Sequence, residues 1–119
     1  DSNFDKNLAE AETLLDKAAK LAPNRPETYY NEAILVQEFR AKEGGAKAEA
    51  VLNKAKGLFG DFVSKAGGED RFADAVKRSK ERMAEIDQII EFNKQTAEEQ
   101  KRMEAILKAE EAKKQLEKK

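Results

Sequence analysis

"LAEAETLLDKAAKLAP" (residues 8–23) and "AKAEAVLNKAKGLFG" (residues 46–60) say nearly the same thing 37 positions apart. Overlaid at that offset, Ala11 falls on Ala48, Leu15 on Leu52, Lys17 on Lys54, Ala18 on Ala55 and Leu21 on Leu58. Helices that stack closely need Ala where their backbones approach and Leu where the gap must be filled, so a recurring small-large pattern marks a packing unit used twice. The expected fold class is all-α, a helical repeat. The same overlay makes Ala18 and Ala55 equivalent, and it predicts that Leu at either one overpacks a helix contact.

The breakers cluster and leave long clear runs. Prolines stand at 23 and 26 and glycines at 44, 45, 57, 60, 67 and 68. Between residues 3 and 22 the apolar positions Phe4, Leu8, Ala11, Leu15, Ala18 and Ala22 step by 4, 3, 4, 3, 4, one stripe of a helix with Ser2 or Asn3 as N-cap and Pro23 as its stop. Pro26 suits the first turn of a second helix over about 26–42, which Gly44 and Gly45 end. A third helix starts at Ala46 and runs to Gly60 or Lys65, presenting Ala48, Val51, Leu52, Ala55, Leu58, Phe59 and Phe62. Its internal glycines, Gly57 and Gly60, are expected to fray or kink the last turns.

Past "AGGED" (residues 66–70) no breaker follows for about fifty residues. Phe72, Val76, Ser79, Met83, Ile86 and Ile90 form a seam with coiled-coil spacing that dies near residue 93. "TAEE" (residues 96–99) has the spacing of a capping box. Residues 69–119 are thus expected to be one extended charged helix or two helices with a break near 93–96. Within 97–118, Glu98 with Arg102, Glu104 with Lys108 and Glu110 with Lys114 are i,i+4 pairs that support a solvated arm, and Met103, Ile106, Leu107 and Leu116 make a weak apolar patch on it.

Taken position by position, the two stretches resemble the tetratricopeptide repeat, a helix-turn-helix unit of about 34 residues. Ala11, Leu15, Ala18 and Pro23 fit the second helix of that unit. "NRPETYYNEAILV" (residues 24–36) looks like the turn and first helix of the next, with Tyr29 at the aromatic, Ala33 at the small and Val36 at the tyrosine position. Ala48, Leu52 and Ala55 match the second helix again, with Gly60 in place of the proline. The chain departs from the pattern at Glu32, where leucine is usual, and in about three extra residues around Gly44 and Gly45. The resemblance implies repeats over residues 1–65, one complete and one represented by its second helix only. It also implies a C-terminal capping or coiled-coil-like helix over 69–119. The chain starts at Asp1 without a methionine, as expected of a piece of a longer protein.

Composition narrows the chemistry. In 119 residues, 23 Lys plus Arg balance 24 Asp plus Glu to a net charge of -1, so no global field favours nucleic acid. No apolar run is long enough for a membrane span, and the chain is expected to be soluble. Without Cys or His there is no thiolate, disulfide, imidazole base or Cys/His metal site. Neither a catalytic residue nor a cofactor is expected, and the reading is non-enzymatic.

The resemblance implies instead a scaffold that holds a peptide or helix of another protein in the concave groove lined by first helices. In bacteria, short family members with charged tails scaffold cell-envelope and motility assemblies, and the resemblance carries that expectation here. In the second helix Tyr29, Ala33 and Val36 form the packing row, while Tyr30, Ile34 and Gln37 lie on the neighbouring row. The expected partner site is Tyr30 and Ile34 as apolar anchors, with Glu27, Asn31, Gln37 and Glu38 around them. The alternative for Tyr30 and Ile34 is packing, against a preceding repeat or against residues 69–92 folded back. A different class of function is a coiled-coil module, in which Phe72, Val76, Met83, Ile86 and Ile90 make a homodimer.

Overall fold

The computed structural model describes residues 2–40 and 46–118, and every regular element among them is helical. In order these are α1 (Ser2–Leu21), α2 (Pro26–Leu35), a π-helical turn (Val36–Arg40), α3 (Ala46–Ala66), a 3-10 turn (Asp70–Phe72) and α4 (Ala73–Glu117). The expected end of the second helix at Gly44 and Gly45 lies outside the described residues.

Pro23 and Pro26 bracket the first turn. The Ala22 amide still donates to Ala18, the Arg25 amide donates back to Ala22, and the Tyr29 hydroxyl donates to the Pro23 carbonyl at 2.9 Å. Arg25 is extended at φ -91°, ψ 107°, and Pro26 opens α2 where its missing N–H is not needed. At the other end of α2 the Val36 amide reaches both Ala33 and Glu32, and the chain widens into the π-helical turn. That local change of pitch has no signature in the apolar spacing.

α3 keeps its helix through Gly57 and Gly60 to Ala66, contrary to the expected fraying. Leu52, Ala55, Phe59, Phe62 and Ala66 on its inner face are all buried, and that packing outweighs the roughly 1 kcal/mol that each interior glycine costs. Gly67 then ends the helix at φ 56°, its amide bonded to the Val63 carbonyl at 3.3 Å. A left-handed residue just past the last turn is the position glycine occupies without strain.

The described chain falls into two compact units, Asp1–Asp87 and Gln88–Lys119. In the first, α2 packs against both α1 and α3. The core is Ala33, Val36, Leu52, Ala55, Phe59, Phe62, Ala66, Phe72 and Ile86. Tyr29, Tyr30, Val63, Ala75 and Val76 close over the cluster of Phe62, Ala66 and Phe72, where the Phe62 and Phe72 rings meet edge to face at 5.8 Å. No described α1 side chain is fully buried, and Leu8, Ala11, Leu15 and Ala18 of its expected stripe are half-buried. The second unit is the remainder of α4, unbroken through residues 93–96.

Candidate functional site

The residues proposed for the groove do not share one environment. Tyr30 is half-buried, its ring 6.0 Å from that of Phe59 and 5.1 Å from that of Phe62, and its hydroxyl accepts from Arg78 Nε at 3.3 Å. Arg82 Nη1 donates to Gln37 Oε1 at 2.9 Å and to Glu38 Oε1 at 2.7 Å. Tyr30, Gln37 and Glu38 therefore meet the first turns of α4. Ile34 is half-buried and Asn31 exposed. Glu27 stands apart at the start of α2, with Oε2 at 3.7 Å from Arg25 Nε and a buried Oε1 that has no hydrogen-bond partner.

The α4 seam supplies the other side of this contact. Phe72, Ser79 and Ile86 are buried and Val76, Met83 and Ile90 half-buried. Ser79 satisfies itself by donating to the Ala75 carbonyl at 2.8 Å, so a small polar residue fits a tight helix contact without an orphaned hydroxyl. The close approach also involves Gly60, where an added Cβ would lie 3.7 Å from the Met83 terminal carbon. Lys56 and Asp87 pair at 2.6 Å. Most of the seam assigned to a homodimer thus packs within the first unit, because α4 folds back on α2 and α3.

Sequence reasoning missed a charged cluster where α1, α2 and α3 meet. Glu32 is 1% exposed, and its Oε2 has no hydrogen-bond partner. Lys54 Nζ lies 2.5 Å from Glu12 Oε1, 3.4 Å from Glu32 Oε2 and 3.8 Å from Asp16 Oδ2. Glu12 also binds Arg40 Nε at 3.1 Å. Burial, together with hydrogen bonding to Asp16 and its like charge, pushes the Glu32 carboxyl up from 4.5 to about 7, and Lys54 offsets this in part. Burial draws Lys54 down, but its hydrogen bond to Glu12 and the charges of Glu12, Asp16 and Glu32 outweigh that and hold it above the ordinary lysine value. The signal for this cluster was Glu32 itself, a carboxylate at a position the repeat pattern gives to leucine.

The second unit carries a different surface. Ile89, Phe92, Met103, Ile106 and Leu107 are all exposed, Phe92 at 68%, and at 3.6 residues per turn they fall within an arc of about 100°. Leu116 projects well away from that arc. Arg102 pairs with Glu99, one residue along from the expected Glu98.

Among the described residues there is no His, Cys, Asp and Glu grouping able to hold a metal ion, and no helix long and apolar enough to cross a membrane. Compared with known protein families, curated proteins and solved structures, the chain matches none.

Proposed function

We propose that this chain is a non-enzymatic protein-protein interaction module: a tetratricopeptide-like helical stack that carries a helical arm and engages a helix of another protein along that arm. The observation that carries the reading is the exposed apolar stripe of Ile89, Phe92, Met103, Ile106 and Leu107 on residues 88–119. Apolar side chains aligned on one face of an otherwise polar helix are the ordinary means of helix-helix recognition. Pairing with a second copy is one form this takes, and scaffolding of a larger assembly is another.

Partner capture on α2 is the second reading. It is favoured by the exposed Asn31 beside the half-buried Ile34. A ligand there would compete with the side chains of Arg78 and Arg82 for Tyr30, Gln37 and Glu38. A photoreactive residue placed in turn at positions 31, 92 and 103, with crosslinking in the native host, ranks the two surfaces. Adducts concentrated at 92 and 103 are expected. Adducts at 31 alone would overturn the arm reading and favour the groove on α2.

A further inference from the structure

We propose that the cluster of Glu12, Asp16, Glu32 and Lys54 is a proton latch on α1, which is seated while the buried Glu32 holds a proton and loosens when that proton leaves to bulk water. The inference is independent of which surface takes a partner. Its first support is the inventory of charges at the junction. α1 contributes Glu12 and Asp16, α2 contributes Glu32, α3 contributes Lys54 and the π-helical turn contributes Arg40. Among the described residues these are, fully ionised, three carboxylates against two cations, and one of the carboxylates is 1% exposed with an oxygen that no donor reaches in hydrogen-bond geometry. A buried carboxylate whose one nearby cation, Lys54, is divided among three carboxylates is a costly group, and a proton on it removes both the desolvation cost and the repulsion from Asp16.

The second support is how lightly α1 is held elsewhere. Its inward side chains are only half-buried. One ring contact it makes, Phe4 on Phe39 at 6.2 Å between centroids, joins two exposed residues. Leu14 and Leu21 on α1 are exposed as well. α3, by contrast, places five fully buried side chains in the core. α1 therefore has few apolar contacts with which to resist a loss of polar ones, and local opening begins where buried apolar contact is least.

The sign follows from linkage. In the seated form Glu32 titrates near 7, and once α1 leaves it returns toward 4.5. Between those values the seated form binds more protons, so raising the pH through that window favours opening. Amide hydrogen exchange on the full chain, corrected for the pH dependence of the intrinsic rate, reads this directly. The protection of residues 8–19 is expected to fall more than tenfold between pH 5 and pH 8, and to lie below that of residues 52–62 throughout. Glu32→Gln keeps the shape and removes the charge, and should leave α1 protected at both pH values. Asp16→Asn, at a half-exposed position that does not threaten folding, should shrink the pH effect by removing the like charge. A parent profile flat with pH, α1 protection equal to that of α3 at every pH, a slope that survives in Glu32→Gln, or one that Asp16→Asn leaves undiminished would overturn the latch.

Discussion

α3 and the last turns of α4, residues 97–117, are helices of equal length, but the second carries ten Lys and Glu residues where the first carries five, and the two are held in opposite ways. α3 buries Leu52, Ala55, Phe59, Phe62 and Ala66 and tolerates two glycines in its interior. Residues 97–117 bury nothing, contain no glycine or proline, and rely on helix-forming residues and local ion pairs such as Arg102 with Glu99. One helix exists because of what it packs on; the other exists because of what it is made of. Tertiary contact therefore governs stability in the first unit, while the surface of residues 97–117 is exposed throughout.

The strongest way to break this comparison is to truncate a large side chain on each side of it. Phe59→Ala removes a fully buried ring that touches Tyr30 and should cost about 3–5 kcal/mol in chemical denaturation. Ile106→Ala, at an exposed position, should stay within about 0.5 kcal/mol of the parent. Equal losses would mean that the arm has a core of its own.

Next in size is the effect of pH on the first unit. The Glu32 carboxyl is raised in the folded chain, so its contribution is complete below about pH 4.5 and is lost as the pH rises through 7. Thermal melts over that window should show stability falling by about 2–4 kcal/mol in the parent and remaining flat in Glu32→Gln.

The overlay of the two stretches predicts equal costs for Leu at Ala18 and Ala55, and the structure sharpens this. Ala55 is 0% exposed, so Ala55→Leu should cost about 1–3 kcal/mol, whereas Ala18 is only half-buried and Ala18→Leu should cost less. Melts in which the two variants coincide would restore the equivalence.

Smaller still is Gly57→Ala. An added Cβ there meets nothing within 4 Å, so the variant should gain about 0.5–1 kcal/mol from helix propensity alone. Least of all, deleting residues 97–119 should move the cooperative melt of the remainder by less than about 0.5 kcal/mol, because none of the removed residues described is buried.

Helix placement was legible because breakers and periodicity act locally. Pro23, Pro26 and Gly67 lie at element boundaries, and the apolar stripe of α3 is the buried face. The π-helical turn was not legible, since a change of pitch leaves the residue spacing untouched. Nor was the continuity of α3, where packing overrides two glycines that local propensity counts as breaks. Of the expected site, Gln37 lies in the π-helical turn rather than on a continuous row of α2, and Tyr30 packs on Phe59 and Phe62. What Tyr30, Gln37 and Glu38 touch depends on Arg78 and Arg82, more than forty residues away.

The sequence by itself determined an all-helical chain, its helix boundaries at the prolines, and the apolar residues Met103, Ile106 and Leu107 on one face of the arm, because each follows from the conformational limits of single residues or from 3.6-residue periodicity. Only the tertiary structure decided that the α4 seam is spent on α2 and α3, and that Glu32 lies buried between Asp16 and Lys54. A periodic apolar face must be covered by something, and periodicity does not say by what. The cost of a charge, likewise, depends on the groups that folding brings within a few ångströms of it.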